Sequence, residues 1–355
     1  MKLILKGHAD YDLIYNSPIV QFYQEEVFSH NNKFIFFVIE EACFVEYYEK
    51  QKKYMESNGY SNSDWVLISI NYKDSISYEN WINCDNFLEN ELHRISGKSI
   101  ERTWTRGYKE KMKYKRREWD FLCFNKYPRA HRDLFARELI RSALWETHLI
   151  SYHHPIKKYE DFTPRAIDCP FDDVIYKNDD FSNFGAPEWN TDKNDVVIPD
   201  EINFTIPFQL LENVFYWVVT ETYFGGFDYH CDKIHDIKNH HSKHLQITEK
   251  TLKAVVSCPF IVLGGAGTLK YLKEYGYKTH PHMFDESYDD ILSDRERFKM
   301  VISEIEKFRE LSHDDKKENL RISLDNIVYN QKLLFSKDFF NTKNKFMTSK
   351  IGKLI

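Results

Sequence analysis

Apolar residues in this chain fall in short unbroken runs separated by longer stretches with helical periodicity. Lys2–Lys6, Lys33–Glu40 and Trp65–Ile70 are such runs in the first third, and Trp119–Asn125, Asn213–Val219 and Pro259–Gly265 recur later. An uninterrupted run of roughly four to eight apolar residues, without in–out alternation, marks a strand buried on both faces. Amphipathic stretches lie between them, over 43–58, Asp133–Glu146, Leu269–Tyr275, 294–311 and 313–334. Ser17-Pro18-Ile19 carries the start signal of a further helix, a capping serine followed by proline, and Gly276 closes the one that ends at Tyr275. Strands alternating with helices predict an α/β fold with parallel sheets. The runs divide into two groups, which predicts two Rossmann-like domains facing a cleft. The first domain is expected over 1–115 and the second over 116–312, with a C-terminal helix and basic tail over 313–355. Residues 153–200, rich in Pro, Asn and Asp and without periodicity, read as a long excursion between elements.

Composition narrows the classes of function. The chain has 355 residues, 42% hydrophobic and 29% charged, with a net charge of −6. That is the profile of a globular protein and not of a general nucleic-acid binder. One segment departs from it: Arg102–Arg117 (RTWTRGYKEKMKYKRR) interleaves basic residues with Trp104, Tyr108 and Tyr114. It reads either as a solvated linker or as a track for a phosphate backbone with bases stacked on the rings. The 16% aromatic share is high, and it fits either an A/T-rich coding sequence or added stacking surface. Six scattered cysteines without a C-x-x-C pair point to a reducing compartment. Met1–Gly7 is too short for a leader peptide, and no stretch reaches the length of a membrane span. The expectation is a cytoplasmic protein, in the host cytoplasm if viral, with no membrane partner.

Three polar clusters follow strands in the second half, where a doubly wound fold binds its ligand. Asn125-Lys126-Tyr127-Pro128-Arg129-Ala130-His131-Arg132 turns from a strand into a helix, and Arg129 and Arg132 are spaced to face a diphosphate together. Thr220-Glu221-Thr222 ends the next strand, where a carboxylate can bind ribose or sugar hydroxyls. Thr248-Glu249-Lys250 opens a helix with a carboxylate beside an ammonium. Departure of a sugar from a nucleotide diphosphate develops negative charge on the phosphates and positive charge on the ring. Fixed cations and a carboxylate stabilise these in turn. The plainer reading of the third cluster is a helix cap. His230, Cys231, His235, His240, His241 and His244 fall close together, but their spacing fits no common zinc framework, so no metal site is expected.

These clusters carry a resemblance. Val218–Thr222, Ile247–Thr251 and Cys258–Ile261 resemble the donor-domain signature of fucosyltransferase-like glycosyltransferases of the GT-B fold, and Asn125–Arg132 is similar to that family's phosphate-binding segment. With Leu269–Thr279 and Asp285–Asp289, the stretch 118–300 also resembles glycosyltransferases of phages and large DNA viruses. The chain departs from the family in having Thr220-Glu221-Thr222 where Phe-Glu-Asn is usual, and in its His-rich loop. The resemblance implies a metal-independent transferase without a cofactor, using a UDP- or GDP-linked sugar. Asn125, Arg129, Arg132, Glu221, Thr248, Glu249 and Lys250 are its donor site. Its acceptor is DNA carrying a hydroxylated base, as in phages, or a glycan or protein. Inverting transfer needs a base from the first domain, for which Asp10 and Glu40 are the candidates, with Glu41 and His8 behind them. The alternative is a non-catalytic nucleotide- or glycan-binding module of the same fold. No G-x-x-x-x-G-K-[ST] loop is present, which counts against a P-loop kinase.

Overall fold

The computed structural model describes residues 2–6, 34–38, 45–69, 78–83, 117–125, 130–142, 148–152, 208–221, 224, 245 and 247–334. These form a mixed α/β protein with two four-stranded, all-parallel sheets. The first sheet takes β1 (Lys2–Lys6), β2 (Phe34–Val38), β3 (Trp65–Ser69) and β4 (Trp81–Asn83) in chain order, with helix α1 (Val45–Ser57) between β2 and β3. The apolar runs over 33–40 and 65–70 thus become adjacent parallel strands, Phe34 opposite Trp65. β4 is too short to leave a pattern in the sequence. A small aromatic knot holds α1 here: the Tyr48 hydroxyl donates to Asn80 Oδ1 at 2.5 Å and its ring stacks on Trp81 at 5.4 Å.

The second sheet takes β5 (Trp119–Asn125), β6 (Leu149–Tyr152), β7 (Val214–Thr220) and β8 (Phe260–Leu263) in the spatial order β6-β5-β7-β8. The chain leaves β5 for β6 on one side through helix α2 (Ala130–Arg141), then returns through the short helix α3 (Phe208–Leu211) to β7 on the other side. The crossover direction therefore reverses between β5 and β7. All seven residues of β7 are buried, as its unbroken apolar run requires of a central strand. Helices α4 (Glu249–Val255) and α5 (Thr268–Glu274) flank β8, and α6 (Asp294–Arg309) and α7 (His313–Leu334) complete this unit. Gly276 takes the left-handed conformation at φ 87°, the helix stop expected at that position. The helix expected over Asp133–Glu146 runs from Ala130 to Arg141, and β6, whose four residues carry a serine and a tyrosine, is an element the hydrophobic pattern did not reveal.

Helix α7, set apart in the sequence reading as a tail, packs into the same core as the second sheet. Leu320, Leu324, Ile327 and Leu334 join β5, β7 and β8 residues in one buried cluster. Lys316 Nζ donates to both oxygens of Asp120 on β5, at 2.8 and 3.0 Å. Asn330, fully buried, donates to the carbonyls of Val255 and Lys278 at 3.0 and 2.9 Å and accepts from the Lys278 amide at 2.8 Å. Replacing it leaves the buried Val255 carbonyl and the part-buried Lys278 amide and carbonyl without this partner, so Asn330→Leu is expected to lower stability by about 2 kcal/mol in urea unfolding.

The start of the second unit corrects one residue of the basic segment. Arg117 is not on a solvated face: it is 4% exposed, and its Nη1 donates to the carbonyls of Leu211 and Val214. The rest of that segment, residues 102–116, lies outside the described residues, as do the helix expected at Ser17, the excursion over 153–200 and the histidines of 230–244.

His280 is buried between β8 and α7, its ring edge-on to Phe260 and its Nδ1 3.2 Å from Ser323 Oγ. Burial, helped by neighbouring His282, drives its imidazole down from 6.5 to about 3. Between those values the unfolded chain binds a proton that the folded chain does not. Its contribution is therefore complete above about pH 6.5 and is lost as pH falls toward about 3. His280→Asn is expected to flatten this acid-side loss in urea midpoints measured across that window.

Candidate functional site

The C-terminal ends of β5 and β7 meet where the crossover direction reverses, the place at which open parallel sheets hold ligands. Asn125 ends β5 and Thr220 ends β7, and the Thr220 hydroxyl donates to Asn125 Oδ1 at 2.5 Å. Asn125 also donates to the buried Cys123 thiol at 3.2 Å, which burial pushes up to about 12. The first turn of α2 closes this edge. His131 Nε2 lies 2.8 Å from the Glu221 carbonyl oxygen, and Arg132 Nη2 donates to the carbonyls of Thr220 and Glu221 at 3.0 and 3.2 Å. Both side chains are buried.

Glu221 is the centre of the arrangement. It has no exposure, and its carboxylate accepts from the Thr248 amide at 3.0 Å, the Thr248 hydroxyl at 2.6 Å and the Thr251 hydroxyl. An isolated buried carboxylate is costly, and donors fixed by a helix start offset that cost. The bonds tie the end of β7 to the start of α4. Thr248 caps that helix in extended conformation and accepts from the Lys250 amide at 3.3 Å, as its residue type predicts. Gly264 is needed on the other side: a Cβ there would come within 2.9 Å of Val262 Cγ1 and 3.5 Å of Glu221 Cγ.

Glu249 and Lys250 stand at the surface of this scaffold. They form an ion pair at 2.9 Å, with side chains 40% and 33% exposed. Burial raises the Glu249 carboxyl, but Lys250 and Lys253 outweigh it and hold the group below its usual range. Lys253, one turn further along, is buried, and burial lowers its ammonium to about 8, with Glu249 opposing and Lys250 assisting.

Six of the residues singled out for donor binding thus gather at one edge: Asn125, Arg132, Glu221, Thr248, Glu249 and Lys250. Four of them, Asn125, Arg132, Glu221 and Thr248, spend their described hydrogen bonds within the protein, and Glu249 and Lys250 face water. Arg129, Asp10 and Glu40 lie outside the described residues. Sequence reasoning missed the structural parts played by His131, Thr251, Arg297 and Asp289. Thr251 lay within the Thr-Glu-Lys-Thr motif and His131 beside Arg132, so position pointed to both. Asp289 gave no local sign, because its partners are backbone amides distant in the chain: Leu269 and Lys270, both at 2.9 Å. Those amides open α5 behind the glycine turn Gly264-Gly265-Ala266-Gly267.

Among the described residues no group of three or more His, Cys, Asp or Glu is placed to hold a metal ion, and no helix is long and apolar enough to cross a membrane. No protein-family model, curated protein or solved structure matches this chain.

Glu221→Gln keeps the shape of the side chain but turns an amide N–H₂ toward one of the three donors. It is expected to lower stability by about 2 kcal/mol in urea unfolding, with a matching fall in melting temperature.

Proposed function

We propose that this chain is a nucleotide-sugar-dependent glycosyltransferase built from two Rossmann-like domains in the GT-B arrangement, moving a sugar from a UDP- or GDP-linked donor to an acceptor hydroxyl. One observation carries the reading: Asn125, Arg132, Glu221, Thr248, Glu249 and Lys250, far apart in the chain, assemble where β5 and β7 diverge. Lys250 meets the diphosphate, with Arg129 as the second cation. Glu249, kept ionised, accepts from ribose or sugar hydroxyls and steadies positive charge on the departing sugar. Glu221, Thr248, Arg132 and Asn125 hold these groups in place. The chemistry needs no cofactor or metal. If configuration inverts, the base comes from the first domain, from Asp10 or Glu40. The acceptor is DNA carrying a hydroxylated base, or a glycan or protein. A DNA acceptor would make activity fall steeply with added salt, and a salt-independent rate excludes it.

A second reading, a non-catalytic nucleotide- or glycan-binding module, draws on the same geometry: Glu221 and Arg132 are taken up by internal hydrogen bonds, which leaves the Glu249–Lys250 ion pair, among the described residues of this edge, to meet a ligand. Such a module binds the nucleotide but does not hydrolyse the donor.

A thermal-shift series against UDP-, GDP- and CMP-sugars tests both. Ligand at a hundred times its dissociation constant is expected to stabilise by about 2.7 kcal/mol for one nucleotide class. Lys250→Ala, at a part-exposed position, is expected to abolish that shift while leaving the unliganded melting temperature near wild type. No shift with any donor would end the proposal. A shift without donor hydrolysis or transfer selects the binding module.

A further inference from the structure

One guanidinium ties together the loops that leave β7 and β8. Arg297, on α6, is 1% exposed. Its Nε donates to the Gly264 carbonyl at 3.1 Å and its Nη1 to the Ile291 carbonyl at 2.7 Å. Its Nη2 donates to the Phe224 carbonyl and to the Asp294 carboxylate. Its plane also lies over the Phe224 ring, 4.5 Å from the centroid. That ring stacks on His131 as well, at 5.6 Å and 19° between planes, and the same His131 reaches the Glu221 carbonyl. The segment after β7 is therefore held at both ends, by α2 at Glu221 and by α6 at Phe224. Gly264, which passes beside the Glu221 side chain, hangs from the same guanidinium.

We infer that Arg297 is a positioning residue for the proposed donor site: its fork fixes the exits of β7 and β8 against each other, and through Glu221 it sets where α4 presents Glu249 and Lys250. The role in donor binding rests on the proposed function, but the clamp itself does not. Charge alone cannot do this. The acceptors are the carbonyls of Phe224 after β7, Gly264 after β8, and Ile291 and Leu292 just before α6, with the Asp294 carboxylate in the first turn of α6; a planar fork of donors reaches these together and a single ammonium does not.

Arg297→Lys, made in the full chain, separates the two requirements, because it keeps a cation beside Asp294. Amide hydrogen exchange at Glu221 and Thr248 is expected to quicken at least tenfold. The KM for the donor found by thermal shift is expected to rise at least tenfold, while kcat falls less than threefold. Exchange and KM both at wild-type values would overturn the inference. If the wild type takes no nucleotide sugar, the proposed function fails, and exchange alone decides the clamp: unchanged rates overturn it. If Arg297→Lys does not fold, Phe224→Leu replaces it, since that change keeps the guanidinium and the Phe224 carbonyl and removes the ring between Arg297 and His131. Faster exchange at Glu221 in Phe224→Leu supports the clamp, and wild-type exchange overturns it.

Discussion

A carboxylate without access to water must be met by donors, or it destabilises the fold around it. Glu221 is such a group, and the second sheet is arranged so that the start of α4 supplies the donors: an amide and a hydroxyl from Thr248 and a hydroxyl from Thr251. The interaction joins the central strand to a helix that begins well downstream in the chain. It also explains why the helix starts where it does. Thr248 both donates to Glu221 and accepts from the Lys250 amide and ammonium, each at 3.3 Å, so one hydroxyl links the buried charge to the exposed ion pair.

The same edge shows how buried cations are used here. Arg132, Arg297 and, at the opposite end of β7, Arg117 all donate to backbone carbonyls. Carbonyls at strand ends and in the loops beyond have left the sheet ladder and need partners when buried. A guanidinium serves several carbonyls on separate segments through a wide planar fork of five N–H donors, whereas the three donors of an ammonium all spring from one atom. Residue type alone therefore does not separate an arginine that grips a phosphate from one that grips a loop. Arg132 was read as the former, and its described bonds are of the latter kind.

Much of the fold was legible because it rests on local rules. Unbroken apolar runs gave β2, β3, β5, β7 and β8, helical periodicity gave α1, α6 and α7, and Thr248 and Gly276 marked a helix start and a helix stop. β4 and β6 escaped because three or four residues carry too little pattern. The gathering of Asn125, Glu221 and Thr248 followed from one topological expectation, that polar residues after strands of a parallel sheet share an edge. What each of them does there was not legible. Whether Glu221 faces a ligand or the helix beside it depends on Thr251, and whether α7 is a tail or part of the core depends on Asn330 and Lys316 finding partners on β5 and behind α4. These are long-range pairings that no periodicity records.

Two helix starts at this edge would ordinarily attract an anion, because their first amides point outward unpaired. In this protein both are met from within. Glu221 takes the Thr248 amide at α4, and Asp289 takes the amides of Leu269 and Lys270 at α5, behind the glycine turn. Burial pushes the Asp289 carboxyl above its usual range, against the pull of those two amides. Those two amides at the start of α5 are thereby occupied from within. An entering diphosphate would have to displace a buried carboxylate from its donors at either position. Under the proposed function its charge must therefore be met by side chains that reach outward from the scaffold. On that proposal Lys250, part-exposed beside Glu249 at the start of α4, would do this, and the glycine turn is left to pack against Glu221.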